Sequence, residues 1–128
     1  MVGLGGSVAF YVIDHDAVVT AKLVKHLQST PYAGVLFTKD GAEGTLKMSD
    51  AGIDSPQAAD VVMSMRWTYE TPQREGGMPG LLLASDKGYR PGVGSHGSLS
   101  REEMANTLVA IGPDFKTGFR NETPSGNS

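Results

Sequence analysis

The sequence predicts an α/β fold with a mixed sheet that contains a βαβ unit and long glycine-rich loops. Short apolar runs rich in β-branched residues flank one amphipathic stretch, a pattern typical of strands on either side of a helix. Glycine supplies 17 of the 128 residues, nearly twice its average share of about 7%. This length has room for a single domain, residues 1–128, with a βαβ-containing part over 6–75 and a glycine-rich loop and final strand over 76–128.

The first βαβ unit begins with an apolar run over residues 7–13, which is typical of a buried strand. Asp14 or Asp16 can cap the helix that follows. Pro31 ends the helix, because the residue before a proline avoids helical dihedral angles. A second strand is expected over residues 35–38, and a right-handed parallel crossover if the two strands are neighbours.

The helix between these strands has one apolar face. Its polar residues fall largely outside this face, as amphipathic packing against a sheet requires. The stripe consists of Val19, Leu23 and Leu27, with Val24 beside it.

The second half of the chain contains shorter elements. Residues 39–57 resemble a loop, residues 59–69 a strand and residues 81–83 a short strand. Strand alternation places one apolar set on a single face of the 59–69 strand, namely Val61, Met63 and Met65.

The last predicted elements are a short helix and a strand. Ser100 and Glu103 have the spacing of a capping box, which starts a helix at Arg101. The run over residues 107–112 is expected to be the final strand.

Composition argues against several classes of function. The net charge is −3 without a block of like charges, so we expect no nucleic-acid partner. No apolar run approaches the ~18 residues of a membrane span, and the N-terminus lacks the pattern of a signal peptide. There are no cysteines, which excludes disulfides and thiolate metal sites.

His96 is the main candidate for chemistry. Gly94 and Gly97 flank it, which allows a sharp turn and an accessible imidazole. Imidazole is the commonest metal ligand, but the spacing alone favours a surface-loop histidine without a function. The same stretch matches G-x-G-x-x-G. Dinucleotide binding needs a strand before this motif and a long helix after it, and neither is predicted here.

Asp14, His15 and Asp16 form the second candidate cluster. An Asp-His pair at a strand end can bind a metal, but the aspartates also cap the following helix, and we favour capping. The serines near His96 have no base close in sequence, so a serine nucleophile is not supported. Trp67 and Tyr69 are interpreted as packing groups.

The stretch "GSHGSLSREEMANTLVAIGPDFKTG" resembles the alkaline phosphatase superfamily, in particular its type I phosphodiesterase and nucleotide pyrophosphatase group. That group carries G-x-H-G-S-x-S, then Asn-Thr before an apolar strand, then G-P-D-F-K or G-P-D-F-R with a glycine soon after. "GGSVAFYV", "GVLFT", "ADVVMSMRW" and "PSGN" extend a weaker resemblance over nearly all of the chain from Gly5. The matching residues of the main block are Gly94, His96, Gly97, Ser98, Ser100, Asn106, Thr107, Gly112, Pro113, Asp114, Phe115, Lys116 and Gly118.

This resemblance implies a partial alkaline-phosphatase-like domain and a role for His96. In the family, the corresponding histidine binds one of two active-site metals, usually zinc, which stabilise charge during displacement at phosphorus. The family's Asp-His-Gly ligand pair lies upstream of the segment that contains Asp14 and His15. The resemblance therefore implies that these two residues are not ligands.

Several parts of the family's active site have no counterpart in this chain. The nucleophile, the metal-binding aspartates and the Asp-x-x-x-His motif all precede the matched region. The sequence therefore suggests a C-terminal-side fragment of a hydrolase of phosphate esters, inactive alone, with at most one zinc ligand, His96. The alternative is a stand-alone, non-catalytic binding or assembly module. In either case exposed apolar surface predicts a homo-oligomer.

Overall fold

The computed structural model describes residues 1–42, 44–69, 82–84, 96–104 and 111–120. Within these ranges, the secondary structure confirms an α/β composition. The α-helices are α1 (Ala17–Gln28) and the single-turn α2 (Arg101–Met104). The strands are β1 (Val2–Gly3), β2 (Ser7–Phe10), β3 (Ala33–Thr38), β4 (Leu46–Lys47), β5 (Val61–Met65), β6 (Trp67–Thr68) and β7 (Leu82–Leu83).

The main sheet is mixed and has five strands in the order β1-β2-β5-β3-β4. β5 is antiparallel to both β2 and β3, so these two strands run parallel to each other without being neighbours. The prediction of a βαβ unit is correct in its order of elements, while the strands that α1 connects are separated by β5. This insertion brings the start of β5 beside the carboxyl ends of β2 and β3.

The hydrophobic core lies between α1 and one face of the sheet. Val61, Met63 and Met65 of β5 are all buried there, which confirms the predicted face of that strand. Val8 of β2 and Leu36 of β3 extend the same layer. Two-residue alternation therefore produces a continuous apolar surface across the three central strands.

The apolar stripe of α1 is narrower than predicted. Val24 and Leu27 are buried in the core and Leu23 packs against it. Val19 is 48% exposed, so its assignment to the buried stripe is wrong. The residue lies in the first turn of the helix, beside the Asp16 cap, where the chain has only begun to pass over the sheet.

The remaining predictions are confirmed in part. Residues 39–57 contain β4 and a short 3₁₀ turn, Met48–Ala51, rather than loop alone. The 59–69 strand is divided into β5 and β6, and β6 pairs with β7 at the expected position near residue 82. In the predicted strand over 107–112, residues 107–110 lie outside the described ranges, and Ile111 and Gly112 are not in a strand. Among the described helices, none has both the length and the apolar character that crossing a membrane requires.

Candidate functional site

The segment that begins at His96 is fixed to the sheet through its backbone. The Gly6 amide donates a hydrogen bond to the His96 carbonyl oxygen over 2.7 Å, and the Gly6 carbonyl accepts from the Met65 amide over 2.8 Å. The segment is therefore bonded to Gly6, just before β2, and Gly6 is bonded in turn to the last residue of β5. His96 itself is exposed, so its main chain is anchored while its side chain stays accessible.

Gly6 and Gly97 allow the backbone of the segment that begins at His96 to lie close to the backbone just before β2. A Cβ atom at Gly6 would lie 2.6 Å from the Ser98 nitrogen and 2.7 Å from the His96 oxygen, distances that real Cβ atoms do not show. Gly97 has φ +89, the left-handed region that glycine adopts without steric cost. Gly97 is therefore needed for its own left-handed backbone conformation. Gly6 is needed because it packs against residues more than eighty positions later in the sequence.

The serines after His96 have structural roles. Ser100 is fully buried, and its hydroxyl accepts from the Glu103 amide over 3.3 Å, which confirms the N-cap of α2. The Glu103 carboxylate accepts from the Ser98 amide instead of returning to Ser100, so the capping box is displaced by two residues. The Leu99 amide donates to the Ser64 hydroxyl over 3.1 Å, which attaches the segment to β5.

The described residues do not form a metal centre around His96. Within the described ranges, no group of three or more His, Asp or Glu side chains is close enough together to hold a metal ion. A catalytic zinc needs about three protein ligands. His96 can therefore supply one donor, and the described part of the chain does not complete the set.

The turn after β2 contains the second predicted cluster. Asp16, rather than Asp14, caps α1, because its carboxylate accepts from the Val18 and Val19 amides over 2.8 and 3.1 Å. Asp14 and His15 have φ values of 56 and 51. These left-handed conformations cost on the order of 1–3 kcal/mol each, so the surrounding contacts must hold the turn in place.

Besides backbone hydrogen bonds from His15 to Val12 and from Asp16 to Ile13, a buried carboxylate just before β5 holds this turn. Asp60 is 7% exposed. Its Oδ2 atom accepts from the Val12 amide over 2.7 Å, and its Oδ1 atom lies 2.8 Å from His15 Nδ1. Sequence analysis missed Asp60, because nothing local to "AADVV" signals that it pairs with a histidine 45 residues earlier.

Asp60 remains ionised in this environment. Burial raises the pKa of its carboxyl group, but the hydrogen bonds from Val12 and His15 lower it, as do the nearby charges of His15 and Lys39. The lowering contributions outweigh burial, so the pKa lies below its ordinary value. An ionised carboxylate only accepts hydrogen bonds, so the shared proton belongs to Nδ1 of His15.

A crevice of about 310 Å³ lies beside this pair. It occupies the edge of the sheet where β2 and β3 end and β5 begins. The polar residues that line it are His15, Thr20, Thr38, Lys39, Asp40 and Asp60. This location differs from that of His96, which lies at the opposite end of β2, so the structure does not bring the two predicted clusters together.

The other residues that the resemblance involves are exposed or outside the described ranges. Asp114, Phe115 and Lys116 lie in an exposed turn. Asn106 and Thr107 are not among the described residues. Trp67 is half-buried, while Tyr69 is 56% exposed, so the expectation that both are packing groups is correct only for Trp67.

Comparison of the chain with protein-family models, with curated proteins and with solved structures gives no match.

Proposed function

We propose that the chain is a C-terminal-side part of a metal-dependent hydrolase of phosphate esters, resembling the phosphodiesterase and nucleotide pyrophosphatase group, in which His96 is a metal ligand. The observation that supports this proposal is the combination of an exposed His96 side chain and an anchored His96 main chain. A metal ligand needs both properties, because the donor atom must be accessible and its position must be fixed.

The proposal assigns the rest of the zinc site to a part of a longer protein outside this chain. Two-metal hydrolysis of a phosphate ester requires ligands for both ions and a nucleophile. A single imidazole does not retain zinc tightly, so the isolated chain lacks a competent centre. It would gain activity only with the part of a longer protein that carries the missing donors.

The isolated chain is therefore expected to show no turnover of a model phosphodiester such as bis(p-nitrophenyl) phosphate, with zinc or manganese added. The measurement compares the chain with His96→Ala and with a metal-free blank. All three should have the same background rate. Turnover that needs the metal and disappears in His96→Ala would overturn the assignment of the remaining ligands to another part of the protein.

A test of the ancestry itself uses the transcript. An in-frame coding region upstream of Met1 should encode a threonine nucleophile and an Asp-x-x-x-His motif. If the transcript instead begins just ahead of Met1, the fragment proposal is wrong and the stand-alone module is favoured.

A second candidate is a module that assembles with itself, and exposed apolar side chains support self-association, as they also would for a fragment. Ile111, Phe115 and Phe119 are 90%, 56% and 71% exposed. Burying such side chains would contribute roughly 1.5–3 kcal/mol each. Sedimentation should then show a dimer or larger species that dissociates in Phe115→Ser/Phe119→Ser; a wild-type monomer would count against self-assembly.

A further inference from the structure

The crevice beside Asp60 has the position and size of a small-molecule site. In open α/β sheets, ligands bind outside the carboxyl ends of parallel strands. Both β2 and β3 end at this crevice, with the antiparallel β5 between them. Its volume of about 310 Å³ is at the lower end of the range for ligand pockets. Ala17 and Ala21 of α1 line one side, and their short side chains leave room for a ligand.

His15 is oriented at the rim of this crevice. The Asp60 carboxylate accepts the Nδ1 proton, so Nε2 is the ring nitrogen that remains for a ligand. The side chain of His15 is 67% exposed although its partner is buried. A buried carboxylate that holds an exposed imidazole in one orientation is the arrangement that positions histidines for contact with a ligand.

We propose that this crevice binds the anionic oxygen group of a small molecule, a carboxylate or a phosphate. Lys39 lines the same crevice and supplies a positive charge. The protonated ring of His15 donates from Nε2 to the anion, and the Lys39 ammonium group donates a second bond. Both oxygens of Asp60 already accept hydrogen bonds, so its charge is engaged with Val12 and His15.

Other charged groups lie at or near the crevice. Lys39 and Asp40, which follow β3, and Asp60, which precedes β5, line it together with His15, while Asp14 and Asp16 belong to the same turn as His15. The ring can donate from Nε2 while Nδ1 donates to Asp60 only when both nitrogens carry a proton. Asp40 is exposed and repels an anion, so Asp40→Asn should strengthen binding.

The experiment titrates the whole chain with inorganic phosphate and, separately, with acetate. Backbone amide signals of the residues that line the crevice are followed by NMR. We expect a saturable shift in the wild type with one or both anions.

His15→Asn is the informative variant. Asparagine tolerates a left-handed backbone and its amide group can donate to Asp60 in place of Nδ1, but it has no counterpart of Nε2. We expect the melting temperature to be retained and the affinity for phosphate to fall about tenfold or more, the effect of losing one charge-assisted hydrogen bond. His26→Asn makes the same change at an exposed position of α1 and should leave binding unchanged.

Lys39→Met tests the site without altering the strained turn and should also weaken binding. The proposal is overturned if neither anion gives a saturable shift, if His15→Asn binds as the wild type does, or if His26→Asn weakens binding equally. None of these measurements involves His96 or turnover, so the outcome is independent of the proposed hydrolase function.

Discussion

Gly6→Ala is expected to lower the free energy of unfolding by about 2–4 kcal/mol, from overpacking and a lost hydrogen bond. The new methyl group would lie 2.6 Å from the Ser98 nitrogen and 2.7 Å from the His96 oxygen. Both obstacles are backbone atoms, so no side chain can rotate away to make room. The segment that begins at His96 must move from the sheet, which breaks the hydrogen bond from Gly6 to His96.

Gly6→Ala should detach the segment that begins at His96 as well as lower the stability of the whole protein. Chemical denaturation measures the stability, and amide hydrogen exchange at Leu99 reports whether the bond to Ser64 survives. Gly52→Ala is the control, because Gly52 has open space around it and only a left-handed φ of +66 to disturb. It should cost about 1–2 kcal/mol and leave Leu99 protected. Equal exchange at Leu99 in the two variants would mean that the segment is not held at Gly6.

What the sequence predicted well depends on neighbours along the chain. The spacing of Val24 and Leu27 identifies α1, the alternation of Val61, Met63 and Met65 identifies the buried face of β5, and Ser100 marks the start of α2. These signals act over a few residues, where helical or strand periodicity connects sequence to burial.

What it did not predict depends on contacts between distant segments. Sequence order left open whether β2 and β3 are neighbours, and in the structure β5 pairs with both. That insertion places Asp60 beside His15 and creates the crevice. Asp60 then requires a partner because it is nearly buried, whereas in the sequence it appears as one polar residue before an apolar run.

His96 and His15 show the same difference between local features, which the sequence predicts, and contacts with distant segments, which it does not. The glycines around His96 predicted an accessible ring, and the structure has it exposed. The His96 main chain is held by Gly6, which lies more than eighty residues earlier in the sequence, and no motif connects the two. The resemblance to a hydrolase family implies a ligand role for His96 and none for His15, but His15 has the more defined surroundings because its ring contacts the buried Asp60.

Asp60→Ala is expected to destabilise the protein by about 2–3 kcal/mol at pH 7, because it leaves the partners of a charged acceptor without a bond. The Val12 amide and the His15 ring lose their acceptor. The left-handed conformations of Asp14 and His15 then depend on the backbone hydrogen bonds from His15 to Val12 and from Asp16 to Ile13. Thermal or urea unfolding measures the loss. Asp60→Asn removes the charge and one of the two acceptor atoms, since the asparagine NH₂ group donates rather than accepts. It keeps one acceptor oxygen, so it should be less destabilised than Asp60→Ala.

The pH dependence of the free energy of unfolding separates the contribution of the Asp60 charge from that of its packing. The pKa of Asp60 is lower in the folded protein than in the unfolded chain, where an aspartate titrates near about 3.9. Ionised Asp60 therefore stabilises the fold fully above that value, and the contribution is lost as the pH falls through the folded pKa. The stability difference between wild type and Asp60→Asn should shrink from pH 5 downward and be smallest at the lowest pH at which both fold. A difference that is constant with pH would show that the charge of Asp60 does not stabilise the turn.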